Sequence, residues 1–442
     1  MNADGAVRAP AARWAHVAAW PWWAQVLAVY AIARTFSALV LVVVAHTQAA
    51  NGWTPAAPTY LQFTGLMWDG SWYRQIAASG YPAQLPIGAD GVVQQNAWAF
   101  YPLFPLLVRV LMRVTGAPWQ AAAPLLNLAL GAAAMLVIYR VVELGAARLP
   151  ASWESLSRRT ARGDNNSQFA ASGPGAGAAG GGAALALSTV VLVAFFPTAV
   201  VLQVAYSESL ALLLIASALL ALVRRRYLYA ALVVIALGFT RAVALPMAVV
   251  VVVHALVRWR AARRGGEALG GRDVAALAGL VVVAVASGFA WQLVCAAVTG
   301  VPDGYLRTQA AWRGRPDVVP LVPWLDIARW LFQGWGPLVL GLVIAGFVAL
   351  LTCPPARRLG PELRAWPAAY LVYLLGVVEP GTSLARFLLL AFPLGAVTAG
   401  IVQGPRVRRR AWLVAVVVVL ALLQVGWVWA LWRLTPPSGW PP

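Results

Sequence analysis

Continuous apolar runs separated by short polar turns dominate this chain. They lie near residues 22–46, 119–142, 184–203, 206–223, 227–240, 242–257, 274–296, 336–352, 366–379, 384–402 and 411–432. Several reach the roughly 20 residues a helix needs to cross a bilayer. None shows the ten-residue alternation of a membrane β-barrel. The pattern predicts an all-α polytopic membrane protein with about 11 transmembrane helices. The stretch 227–257 is too long for one crossing and holds Arg241 at its middle, so two short helices meeting at Arg241 are expected. The first run is too long for a signal-peptide core and reads as an uncleaved span. It follows a cytoplasmic lead, residues 1–21. Residues 22–442 form one transmembrane domain. Within it, 47–118 is a first extracytoplasmic loop with interfacial helices, 149–182 a flexible Gly/Ala-rich cytoplasmic linker, and 297–335 a second extracytoplasmic loop. The segment 99–115 starts with two prolines and carries Arg109 and Arg113, which suits a re-entrant or interfacial helix rather than a crossing.

Composition agrees. Of 442 residues, 61% are hydrophobic and 11% charged, against about 25% charged in a soluble chain; the mean hydropathy is +0.75. The net charge of +19 could suggest nucleic acid. The basic residues, all of them arginine, instead sit in short loops between spans, which is how membrane orientation is encoded. With the N-terminus inside, about two thirds of the arginines face the cytoplasm. The Arg, Ala, Gly and Pro bias points to a GC-rich bacterial genome, hence a bacterial cytoplasmic membrane. Cys295 and Cys353 fit no zinc or redox spacing, and three histidines are too few for a metal site.

This topology gathers sparse acids and arginines from distant segments at the outer leaflet. Asp69 lies in "WDGSWYRQIAASGY" between Trp68 and Trp72, followed by Tyr73 and Arg74. Its plain reading is the N-cap of a helix starting at Ser71, with an interfacial aromatic belt. Its functional reading is a partly desolvated general base. Glu208 follows Tyr206 and Ser207 at the outer end of a span, where it is either a solvated helix start or a partner of Arg241. Arg241 and Arg386 lie in apolar surroundings. Either they snorkel to the surface, or they bind an anionic headgroup with a planar fork matched to phosphate. Glu379 precedes Arg386 on the same outer turn. Gly175-Ala-Gly177-Ala-Ala-Gly180 formally matches G-x-G-x-x-G but has no βαβ context. Without a lysine there is no P-loop.

The segments "MWDGSWYRQIAASGYP", "AFYPLFPLLVRVL", "AFFPTAVVLQVAYSESLALLL", "LGFTRAVALP" and "TSLARFLLLAFPLG" occur in one order. In that order they resemble the PIG-V-like mannosyltransferases, the group of GPI mannosyltransferase 2 and its bacterial relatives, within the GT-C class. The resemblance implies a GT-C glycosyltransferase-like fold and transfer of a sugar, usually mannose, from a polyprenyl-phosphate donor at the outer face. It implies that Asp69 is the catalytic base and that Trp68, Tyr206, Ser207, Glu208, Arg241 and Arg386 match the family's motifs. Trp72, Tyr73, Arg74 and Glu379 are added as substrate-binding candidates. Only Asp69 and Asp90 occur as acids between 47 and 98, so no paired-acid metal motif is present there. No cofactor is expected, and a divalent metal stays open.

The expected chemistry is a single inverting displacement, which needs one base rather than two carboxylates. Expected partners are the lipid-linked donor, a lipid, glycan or protein acceptor, and the bilayer, with no nucleic acid. The acceptor is sought along 297–335, at Tyr305, Trp312, Arg313, Arg315 and Trp324. A lipid or small-solute transporter or flippase is the competing class, since broken helices and intramembrane charges also mark transport paths. An inactive scaffolding subunit, or the same chemistry on another lipid-linked sugar, are the further alternatives.

Overall fold

The structure is a computed structural model that describes residues 20–147 and 176–435. The lead 1–19, the sequence 148–175 and the last seven residues lie outside that range. The described residues contain no strand, only an isolated bridge between Ile87 and Val93. Among the described residues six helices are long and apolar enough to cross a membrane, and three shorter apolar helices accompany them.

In chain order the helices are α1 (Trp22–Ala45), α2 (Tyr60–Gly65), α3 (Asp69–Ser79), α4 (Leu103–Thr115), α5 (Trp119–Ala147), α6 (Ala176–Ala194) and α7 (Glu208–Val223). They continue as α8 (Tyr227–Gly238), α9 (Leu245–Arg263), α10 (Gly271–Thr299), α11 (Gly304–Arg313), α12 (Val322–Phe332) and α13 (Gly336–Thr352). The last are α14 (Pro361–Val377), α15 (Leu384–Leu388), α16 (Pro393–Gly400) and α17 (Arg406–Trp427), the last ending in a π turn through Trp432.

α7 is the hub. It is apolar all round and almost wholly buried, the mark of a helix surrounded by others. It packs on α5 and α8; α8 packs on α10, and α9 on α10 and α14. The outermost helices keep apolar faces outward, with Leu338, Leu342 and Val348 of α13 more than half exposed.

α4 buries Phe104, Pro105 and Val108 and exposes Leu106, Leu107, Val110 and Val114. Its 13 residues span roughly 20 Å, too short for a crossing. α8 and α9 meet around Arg241, as the interrupted apolar run predicts. Other boundaries differ from expectation. The expected linker 149–182 is helical from Ala176 onward in α6. The segment 297–335 holds α11 and α12, and α12 runs through a 3-10 turn into α13.

The largest departure is at 184–203. α6 ends at Ala194, and the chain runs irregularly through Pro197 and a 3-10 turn, Ala199–Gln203, to α7. Pro197 cannot continue the helix hydrogen bonding. Non-helical backbone at such depth is tolerated only inside protein with its polar groups satisfied. Arg34 donates to the carbonyls of Ala199 and Ala194. Asn127 donates to those of Val201 (2.8 Å) and Val204 (2.6 Å). Tyr30 bonds the Leu128 carbonyl at 3.1 Å and that of Leu202 at 3.4 Å. The Ala205 amide donates to Thr64.

Candidate active site

That irregular segment delivers Tyr206, Ser207 and Glu208 to a buried polar cluster at one end of α7. Glu208 is fully buried in the first turn of α7. Arg241, in the break between α8 and α9, donates from Nη1 to Glu208 Oε1 at 2.6 Å and to Ser207 at 3.3 Å. Arg386, on α15, donates from Nη1 to the same Glu208 oxygen at 3.0 Å and to Asp69 Oδ2 at 2.6 Å. Tyr73 donates to Ser207 at 3.0 Å. Four charged residues from four distant segments thus form one network of zero net formal charge.

The burial of the two acids differs. The Glu208 side chain has no exposure, while that of Asp69 is 20% exposed. Glu208 Oε2 has no hydrogen-bond partner within the described protein. The guanidinium of Arg386 lies 4.8 Å from the Tyr206 ring and 5.2 Å from that of Phe387. The guanidinium of Arg241 also lies over the Phe387 ring, 5.1 Å from its centroid. These rings wall the arginines from water and sharpen every charge interaction among them.

The local backbone explains how Asp69 comes to be available. Asp69 is not the N-cap. Trp68 is, and no side chain caps the helix; Asp69 is the first helical residue, and its carboxylate contacts Arg386 instead. Trp68 has φ 55° and ψ −127°, a conformation a bulky residue adopts only when its surroundings enforce it. Here Trp68 Nε1 donates to the Trp432 carbonyl at 2.7 Å, and its ring packs 5.3 Å from Trp53. The next residue must be small: a Cβ on Gly70 would lie 2.9 Å from the Gly65 carbonyl oxygen. The Trp-Asp-Gly sequence is therefore a tight turn that starts α3 against α2.

The other expected residues are distributed around this centre. Trp72 stacks on Phe100 at 5.6 Å and meets Trp312 edge-on at 5.4 Å. Arg74 is exposed on the outer side of α3. Glu379 does not join the network; it pairs with Arg315 at 2.9 Å. Tyr305 bonds Tyr101, and Trp324 bonds the Val378 carbonyl. Neither reaches the charged cluster. Among the described residues no His, Cys, Asp and Glu cluster has the make-up of a metal site.

Sequence reasoning passed over Arg34, Asn127 and Tyr30, which hold the irregular segment. An arginine in the middle of an apolar span carries an insertion cost of about 2.5–3.5 kcal/mol, and that cost was the available signal.

Neither a scan of protein-family models nor a search of curated proteins returns a match. Among solved structures, the chain is similar to the oligosaccharyltransferase of Archaeoglobus fulgidus tethered to an acceptor peptide containing the NVT sequon. Identity there is 14% and the TM-score 0.47, over 94% of this chain and 56% of that one. A second structure of the archaeal enzyme, bound to an inhibitory peptide and a dolichol-phosphate, aligns at 13% identity and TM-score 0.47, again over 94% and 56%. The chain spans little more than half the length of these proteins.

Proposed function

We propose that this chain is a GT-C-like inverting glycosyltransferase. It moves a sugar, mannose by the motif resemblance, from a polyprenyl-phosphate donor to an acceptor hydroxyl at the outer face of a bacterial cytoplasmic membrane. The observation that carries the reading is that Arg386 bridges Asp69 and Glu208 while Arg241 shares the same Glu208 oxygen. A partly exposed acid and two arginines, fixed by a second acid that is sealed, are the parts a single displacement from a lipid phosphate needs.

In this mechanism Asp69 takes the proton of the acceptor hydroxyl, whose oxygen attacks the anomeric carbon. The bond from that carbon to the phosphate oxygen breaks on the opposite face, and polyprenyl phosphate leaves with its electron pair. The Asp69–Arg386 ion pair couples the two events. Once Asp69 is protonated, Arg386 loses one of its two ionic partners and the cluster turns net positive as the leaving phosphate gains charge. Preorganised stabilisation of charge that develops only in the transition state is the most effective kind. Glu208 serves as the fixed anchor for both arginines, and Tyr73 and Ser207 set the Arg241 side of the network.

The test is transfer from labelled polyprenyl-phosphate mannose in membranes carrying wild type or Asp69→Asn. Wild type is expected to label an acceptor and the variant to fold, insert and fail. Retained transfer by Asp69→Asn would remove Asp69 as base; movement of the lipid across the bilayer without sugar transfer would favour a flippase.

A further inference from the structure

A second feature, a cleft, lies on the opposite stripe of α3. Asp69, Tyr73 and Ile76 face the protein, whereas Ser71, Arg74, Gln75 and Ala78 face outward, the three- and four-residue spacing of one helix face. That outer stripe, with Gly52, Trp53 and Leu66, lines a cleft of about 280 Å³, enough for about one or two sugar rings on the scale of small-molecule sites.

The cleft is built rather than incidental. Trp53 is 36% exposed, yet its loop is fixed. Asn51 Oδ1 accepts from the amides of Trp53 (2.8 Å) and Thr54 (3.1 Å), and Asn51 Nδ2 donates to Thr54 Oγ1 at 3.0 Å. Asn51 and Thr54 both also contact the buried Met67 sulfur, and the Trp53 ring packs on Trp68. The ring is therefore held in place before any ligand arrives, so little ordering cost remains for binding. Facing it, Arg74 and Gln75 have no hydrogen-bond or ion-pair partner among the described residues, and both are exposed.

We propose that this cleft is a saccharide subsite for the acceptor. A fixed aromatic face opposite an unengaged guanidinium and amide suits a sugar ring, with C–H groups on the indole and adjacent hydroxyls on the planar fork. The cleft lies on the other stripe of α3 from Asp69 but at the same end of the helix, lined by Ser71 two residues on and by Trp53, which packs on Trp68. A glycan held here therefore meets the reacting centre only by passing round the start of α3. The acceptor is accordingly a glycan or glycolipid, gripped by a ring beyond the one that reacts. This assignment rests on the glycosyltransferase reading for its role, but not for its binding.

Two measurements separate those layers. Saturation-transfer NMR of the detergent-solubilised full chain with a linear mannotriose should show ring-proton signals in wild type and in Asp69→Asn. The signals should be lost in Trp53→Ala and weakened in Arg74→Ala. Absence of signal in wild type, or signals unchanged in both cleft variants, would overturn the subsite. Binding without any sugar transfer would leave the subsite standing and remove the transferase reading. In the transfer assay, Trp53→Ala should raise the acceptor KM by about tenfold or more while the donor KM moves less than about twofold. A rise in the donor KM instead would assign the cleft to the lipid headgroup and overturn the proposal.

Discussion

Two buried polar networks occupy opposite ends of α8, and their contrast separates chemistry from scaffolding. One is the Asp69–Arg386–Glu208–Arg241 cluster beyond its C-terminus. The other lies at its N-terminus, where Tyr227 contacts His254 at 3.2 Å and accepts from Arg258 at 2.7 Å. There His254 Nδ1 lies 2.6 Å from Glu362, and Arg258 pairs with Asp273 at 2.7 Å. The 12 residues of α8 set the two roughly 18 Å apart. Both networks join arginine, acids and a phenol. In the second, His254 and Glu362 are each only 3% exposed, and the pair ties α9 to α14. In the first, one oxygen of Glu208 serves two arginines, while the remaining acid keeps an exposed edge. The sealed His254–Glu362 pair can only hold helices together, and the exposed acid beside it, Asp273, with its side chain 39% exposed, pairs among the described residues with Arg258 alone. In the first network the exposed acid shares its arginine with a buried acid, the arrangement a proton exchange with a substrate needs.

The largest effect that would test this contrast is on rate. Asp69→Asn is expected to lower sugar transfer by about 10²- to 10⁴-fold, the usual worth of a general base, with an unchanged melting temperature. A parallel loss of melting temperature would put Asp69 in the same class as the sealed pair. Next comes Glu208→Ala, which among the described residues leaves Arg241 with no acid partner and Arg386 with Asp69 alone. A destabilisation of about 3–5 kcal/mol is expected, read by denaturant unfolding in detergent; a stable, active variant would contradict its anchoring role. Glu362→Gln should cost less, about 1–3 kcal/mol for a weakened buried contact, and leave the transfer rate of the folded fraction near wild type. A selective fall in rate would show that the far end of α8 does communicate with the site.

The smallest effect should come from the exposed Asp303–Arg307 pair at 2.9 Å. The hydrogen bond from Arg307 holds the Asp303 carboxyl below its usual range. Its contribution is present above the ordinary carboxylate value and is lost as pH falls through the lowered one. Arg307→Ala should remove only that acid-side dependence of the melting temperature, with transfer unchanged.

Much of the site was legible because charge is conspicuous in an apolar chain. Arg241 and Arg386 interrupt runs that otherwise read as continuous spans, and Asp69 and Glu208 were among very few acids. Their convergence followed from counting crossings. Boundaries were less legible. Pro197 marks the end of α6, but the apolar composition on both sides of it hides the break, because hydropathy does not distinguish helix from buried irregular chain. Arg34 escaped notice because one arginine hardly lowers the hydropathy of a long span. The latch at Tyr227, His254 and Glu362 escaped because a lone histidine says nothing about which acid it will meet. Glu379 lies seven residues before Arg386 in sequence, yet the turn before α15 directs it to Arg315 and not to the charged cluster.

The irregular stretch 195–207 also constrains the order in which the molecule can be put together. Arg34, Tyr30 and Asn127, whose side chains donate to its carbonyls, precede it in the chain, whereas Gln424, which donates to the Phe196 carbonyl, and Ala385, whose carbonyl accepts from Thr198, are made long after it. Arg386 comes far later. Until α15 is made, Glu208 can meet only Arg241, and Asp69 has no basic counterpart in the network at all. A nascent chain released before that point would therefore carry an incomplete core and an incomplete charged cluster.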